Sequence, residues 1–163
     1  MSDAERFTVR IQAEDFDAAD ESTALTRGRP DIGAVVTFAG LCRAHDKPGE
    51  APLVALTLEH YPGMAEEEIA RIVEEARARW PLAGATVIHR YGRMLPGDNI
   101  VLVVTASAHR GAAFAAAEFL MDWLKTRAPF WKLEEFGEAR TWVAAKDDDD
   151  DAAARWAPSR PIP

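Results

Sequence analysis

Pro129 divides the run Lys125-Thr-Arg-Ala-Pro-Phe-Trp-Lys132 into two segments that cannot share one helix. A proline ring clashes with the carbonyl four residues back, offers no N–H, and drives the residue before it out of the helical region. The amphipathic pattern upstream must therefore stop near Arg127. Between residues 110 and 127, Phe114, Ala117, Met121 and Leu124 recur every three or four positions, with Leu120 and Trp123 widening the stripe. Downstream, residues 130–137 and 139–145 read as a final β-hairpin. The reversal from helix to strand can aim Lys125, in the last helical turn, and Lys132, on the strand, at one pocket. Plainer roles stay open beside that one. A lysine near a helix C-terminus contributes about 0.3–1 kcal/mol through the dipole, and a lysine beside Phe130 and Trp131 suits a solubilising edge position.

Upstream, Phe7, Val9 and Ile11 alternate with polar neighbours, which predicts a strand. A short helical or irregular stretch follows over 16–25, then a turn at "RGRPD". The nearly unbroken apolar run "GAVVTFAGLC" predicts a buried strand, and residues 43–52, with Pro and Gly but no periodicity, predict a loop. A further strand is expected over 53–61. A helix is expected from about Met64 to Trp80, its stripe formed by Ile69, Ile72, Val73, Ala76 and Trp80, with Pro81 as its stop. "ATVIHRYGRM" and "NIVLVVTASA" read as two strands joined by the turn "LPGDN" in hairpin fashion. Strands outnumber helices and most connect antiparallel, so the fold class is α+β.

Charge narrows the choice of partner. The net charge of −8 is mostly local, because residues 147–151 are five consecutive aspartates; the remainder carries −3. Such a run repels itself, so residues 147–163 are expected to form an acidic, flexible tail after a single domain over 1–146. Nucleic-acid binding needs a net basic surface and is not expected. No apolar run approaches the roughly 20 residues needed to cross a bilayer, no secretory signal is visible, and Cys42 is the single cysteine. A reducing cytoplasm is the expected address.

The start of the 110–127 helix adds cations. "TASAHRGAAF" runs a strand straight into the helix N-terminus, where free backbone N–H groups sit beside His109 and Arg110. Arg43, just after "GAVVTFAGLC", can reach the same sheet edge. Together Arg43, His109, Arg110, Lys125 and Lys132 suggest a phosphate-bearing substrate.

Five blocks in order, "GAVVTFAGLCR", "LTLEHYPGM", "RWPLAGATVIHRYGRMLPGD", "SAHRGAAFAAAEFLMDWLKTRAPFWK" and "AAARW", resemble the large, catalytic subunit of molybdopterin synthase, the MoaE family, over about residues 31–156. The resemblance implies an α/β-hammerhead type fold with mixed, mostly antiparallel sheets and two main helices. It also implies a homodimer within a heterotetramer, with a small ubiquitin-like sulfur-carrier subunit docked at each end. The carrier's C-terminal Gly-Gly thiocarboxylate would enter a pocket and deliver sulfur to cyclic pyranopterin monophosphate, producing the dithiolene of molybdopterin. On this resemblance Lys125 matches the family's catalytic lysine and Lys132 its second active-site lysine. His109 and Arg110 match a substrate-binding pair, Arg43 matches the arginine of a G-x-x-R segment, and Glu134 can orient Lys132. Leu41 and Leu133 stand where basic residues are common, so no binding role is carried onto them.

The family's chemistry fits these residue types. Arg43, His109 and Arg110 can hold a cyclic phosphate by charge-assisted hydrogen bonds. Lys125 can act as general acid/base or stabilise developing negative charge, and both roles stay open. Cys42, at the end of an apolar strand, reads as a small hydrophobe, since the family takes its sulfur from the partner. His60 and His89 read as strand or interface residues; they lack the close spacing of metal ligands, so no metal site is expected. There is no P-loop, and no cofactor is expected. Phe130, Trp131 and Trp142 read as core or interface, near the channel for the carrier tail that the resemblance implies. The rival reading is a non-catalytic adaptor that binds a ubiquitin-like tail or a pterin phosphate.

Overall fold

The computed structural model describes residues 1–44, 49, 51–143 and 147–157. Its elements are α1 (Asp3–Arg6), β1 (Phe7–Gln12), α2 (Ala18–Thr26), β2 (Ala34–Leu41), β3 (Ala55–His60), α3 (Met64–Arg79), β4 (Leu82–Arg90), β5 (Gly92–Met94), β6 (Asn99–Ser107), α4 (Arg110–Thr126), β7 (Phe130–Phe136), β8 (Ala139–Val143) and α5 (Asp147–Ala154). The expected α+β class holds, in two four-stranded sheets. One has the order β1-β4-β6-β2, parallel between β1 and β4 and otherwise antiparallel; the other, β5-β3-β7-β8, is antiparallel throughout.

The first sheet is covered on both faces, so its central strands lack clean alternation. On one face Val87, Val101 and Val103 pack against Ile69, Ile72 and Val73 of α3 and Phe119, Leu120 and Leu124 of α4. On the other, Ile88, Leu102 and Val104 meet Phe16 and Leu25 from the α2 region. Helix α3 starts at Gly63, whose N–H donates to Glu66 Oε2 at 2.7 Å, and ends just before Pro81, as the sequence predicts.

Three details differ from expectation. The stretch "ATVIHRYGRM" is two strands. Gly92 at φ 93° turns the chain out of the first sheet, so β4 pairs with β6 while β5 pairs with β3 in the second. A side chain at that φ is strained, which is why a glycine stands there. The turn "LPGDN" therefore links two sheets, and the β4–β6 pairing spans that excursion. Second, β2 is an edge strand. Val35, Phe38 and Leu41 are exposed, because only one of its edges has a neighbour. Third, α4 is rotated from the stripe read off its large side chains. Phe114 is 61% exposed, and Ala113 and Ala116 are buried instead. The alanine face lets the helix lie close to the sheet, where Thr105 Oγ1 donates to the carbonyl of Ala113 at 2.7 Å.

The aspartate run begins α5, and Asp150 and Asp151 are solvated. Ala153 is buried behind it, and Trp156 packs edge-on against Trp80 and Phe119, each at 5.6 Å. Its indole N–H donates to Asp122 Oδ2 at 2.6 Å, and Arg155 donates to the same oxygen at 2.6 Å. Residues 153–156 are thus docked on α4.

Candidate active site

Helix α4 ends at Arg127, whose backbone N–H returns to the Trp123 carbonyl at 2.7 Å. The Arg127 guanidinium ties this end to α3 through Glu68 and Glu75, at 2.7 and 2.8 Å. Ala128 and Pro129 reverse the chain, and β7 enters the second sheet beside β3, with Lys132 opposite Leu58. Lys125 and Lys132 thereby line one cavity of about 350 Å³, with walls that include Leu56, Leu58, Phe130 and His89. Lys125 is exposed at its mouth and Lys132 half-buried in its wall.

Strand alternation sorts the neighbours of Lys132. Glu134 shares its face, with Oε1 4.0 Å from the Lys132 Nζ, so it can restrain the ammonium without a close hydrogen bond. Leu133 points to the opposite face, paired with Thr57 and Trp142. The basic residue missing at Leu133 therefore removes nothing from this pocket. Trp131 and Trp142 also lie on that outer face and are about half exposed, whereas Phe130 lines the cavity.

Cys42 sits just beyond β2, bonded through its backbone to the Gly97–Asp98 turn at 2.8 Å in both directions. Its side chain is buried with Leu56, Leu58 and Met94. Desolvation pushes its thiol up, Asp98 and Glu134 add to that, and Lys132 works against them. A thiol held protonated is a poor nucleophile, which agrees with the packing role expected of it. Arg43 is the next residue and is exposed.

His109 and Arg110 lie elsewhere. They form the exposed N-terminus of α4, His109 as its N-cap without a side-chain capping bond. Fifteen residues separate Arg110 from Lys125, about 22 Å at 1.5 Å per residue. Within one chain they do not share the lysine pocket.

The sequence reading missed His89, whose signal was a histidine set in the apolar run of β4. Its ring stacks on Phe130 with centroids 3.8 Å apart and planes 17° from parallel. Nδ1 lies 2.9 Å from the Arg90 carbonyl and donates to it. Desolvation lowers its pKa to about 4; the Arg90 hydrogen bond opposes this, and the charges of Lys125 and His60 reinforce it. The imidazole is neutral at pH 7. His60 packs on the same aromatic group, 4.6 Å from Tyr91 and 5.9 Å from Phe130. Among the described residues there is no group of three His, Cys, Asp or Glu placed to hold a metal, and no helix long and apolar enough to cross a membrane.

Comparison with known proteins identifies the family and the fold. The family model described as MoaE protein matches residues 11–127. The molybdopterin synthase catalytic subunit of Mesorhizobium japonicum is 64% identical over 151 residues, covering 91% of this chain and 92% of that one. The solved structure of the molybdopterin biosynthesis MoaE protein from Burkholderia ambifaria superposes with a TM-score of 0.78 at 48% identity, covering 91% of this chain and 97% of the other. The crystal structure of molybdopterin synthase from Staphylococcus aureus gives a TM-score of 0.75 at 29% identity, over 82% and 95% of the two chains.

Proposed function

The chain belongs to the MoaE protein family, and from that premise we propose that it is the catalytic subunit of a molybdopterin synthase. It transfers sulfur from the thiocarboxylated C-terminus of a small ubiquitin-like carrier to cyclic pyranopterin monophosphate, forming the dithiolene of molybdopterin. The observation that carries this reading is the convergence of Lys125 and Lys132 on one pocket whose other walls are mostly apolar side chains.

The chemistry asks for such a pocket. Thiocarboxylate and cyclic phosphate are both anions, and they must approach to bonding distance for sulfur to attack carbon. At about 4 Å two like charges repel by about 4 kcal/mol at an effective dielectric of 20. Two ammonium groups at the same place offset that repulsion and stabilise charge that develops on the attacked group. Lys125, at the mouth, is the catalytic residue, acting as acid/base or as a fixed charge; Lys132, partly restrained by Glu134, binds the anions beside it. Arg43 extends the cationic rim. A Gly-Gly tail suits the narrow approach because it has no side chains.

His109 and Arg110 join this site from a second copy of the chain, which is the homodimer of the proposed heterotetramer. Their separation from Lys125 within one chain supports that arrangement. So does the exposed apolar surface of Phe114, one turn beyond Arg110, and of Phe38 on β2. The reaction belongs in the cytoplasm, whose reducing conditions suit a chain with one cysteine.

The test is a mass-spectrometric transfer assay with thiocarboxylated carrier and cyclic pyranopterin monophosphate. Dithiolene product is expected from the wild type, with a loss of at least a hundredfold in Lys125→Ala, the usual range for an acid/base or oxyanion-type group. No product from the wild type, with carrier binding verified in the same sample, would reduce the chain to a binding adaptor.

A further inference from the structure

The lysines give the pocket hydrogen-bond donors, and His89 gives it an acceptor. A neutral imidazole has one N–H and one lone pair. Here Nδ1 spends its hydrogen on the Arg90 carbonyl, so Nε2 carries the lone pair on the ring's other edge. The ring is held flat against Phe130, and both line the same cavity as Lys125 and Lys132. A ligand that rests against both lysines within about 350 Å³ therefore occupies the space that His89 borders. Ammonium groups only donate, so they recognise the anionic end of a substrate and nothing that itself donates.

We propose that His89 is a specificity-determining residue for the pterin, its Nε2 accepting a hydrogen bond from a ring N–H of the bound substrate while Phe130 holds the imidazole in plane. The assignment rests on the sulfur-transfer reading, which supplies a substrate with a nitrogen-rich, N–H-bearing ring at one end and a phosphate at the other. It divides the pocket by chemistry, with lysines for charge and His89 for the heterocycle. The acceptor must stay uncharged to work. Desolvation in the pocket wall keeps it so, and Lys125 from α4 and His60 from β3 add to that. Lys132 from β7 lines the same cavity, with Glu134 4.0 Å from its ammonium.

Two substitutions separate this role from a structural one. His89→Gln places an amide where Nε2 stood and can still accept there; His89→Asn keeps a donor near Nδ1 for the Arg90 carbonyl but withdraws from the pocket. Pterin binding to the carrier-loaded complex is measured by equilibrium dialysis from pH 5 to 8, alongside the transfer assay, with thermal melts confirming folding. Expected is a weakening of about fivefold to tenfold in His89→Asn, the worth of one hydrogen bond. His89→Gln is expected near the wild type, with kcat changed less than KM in both. With its pKa near 4, His89 stays neutral over this range, so the affinities of the wild type and of His89→Gln should both stay flat from pH 8 to 5. Equal affinity in all three proteins, or equal losses in both variants, overturns the proposal. A wild type that binds pterin without forming product would defeat the sulfur-transfer reading while leaving this comparison decisive for His89.

Discussion

Cys42, buried behind Leu56 and Leu58, and His89, in the cavity wall, show how differently two polarisable side chains can be used around one site. The Cys42 thiol is buried and held protonated, so Cys42→Ser should keep sulfur transfer within about twofold of the wild type, at a stability cost of roughly 1 kcal/mol for placing a hydroxyl in an apolar cluster. Loss of transfer in a folded Cys42→Ser protein would make the thiol part of the chemistry. His89 makes a prediction about pH. Its pKa is about 4 in the folded chain, against 6.5 when unperturbed. The unfolded chain thus binds the extra proton first, and the stability due to a neutral His89 is complete above pH 6.5 and lost as pH falls toward 4. Because the ring is only partly covered, the loss between pH 7.5 and pH 5 should be about 1 kcal/mol, less than the full shift would give. Urea titrations at both pH values should show the wild type losing that much more than His89→Gln; equal losses would place the ring in free solvent. The two lysines were legible as residues because Pro129 forces a reversal between them. His89 was not, since strand periodicity says which face a residue takes but not whether that face borders a cavity.

Helices α3 and α4 and most strands follow from apolar period and from the proline stops at Pro81 and Pro129, and the structure keeps those boundaries within a residue or two. What periodicity did not carry was pairing across distance. Gly92 looks like any glycine in a strand, yet its positive φ moves the chain from one sheet to the other. The exposed β2 edge was hidden for a related reason, since an unbroken apolar run looks the same whether both faces are covered within the chain or one awaits a partner. The end of the chain shows a charge pattern overridden by a short one behind it. Five aspartates suit the N-terminal turn of a helix by the dipole, and Ala153, Arg155 and Trp156 supply the docking that a tail would lack. Trp156 joins α3, through Trp80 and the Arg79 bond to its carbonyl at 2.7 Å, to α4, through Phe119 and Asp122. Asp122 stands one turn before Lys125, so this joint also steadies the segment that carries the catalytic lysine. Trp156→Ala should therefore cost about 2–3 kcal/mol, below the range for a fully buried tryptophan. Chemical denaturation would measure it; a change under 0.5 kcal/mol would mean that α5 and Trp156 do not dock.

At the scale of the whole molecule, one chain holds two cationic groups of residues that its own geometry keeps apart. Lys125 and Lys132 sit at the C-terminal end of α4, and His109 and Arg110 at its N-terminus, about 22 Å away along a rigid helix. If both sets act on one phosphate-bearing substrate, a second chain must bring its α4 N-terminus to the first chain's pocket. Twofold symmetry then builds two identical composite sites. That arrangement makes a prediction no single-chain site can meet. Lys125→Ala and Arg110→Ala proteins, each nearly inactive alone, are co-expressed so that mixed dimers form. In a mixed dimer one site combines the intact Lys125 of one chain with the intact Arg110 of the other, while the second site lacks both. Random pairing makes half the dimers mixed, each with one complete site of two, so activity should return to about a quarter of the wild type. A site confined to one chain predicts no recovery at any mixing ratio, because every pocket would still lack one residue. Purifying mixed dimers by two different affinity tags sharpens the reading to half of wild-type activity or none. The first result makes dimerisation part of the catalytic apparatus, with the apolar β2 edge and Phe114 as the surface that holds the two halves of each site together.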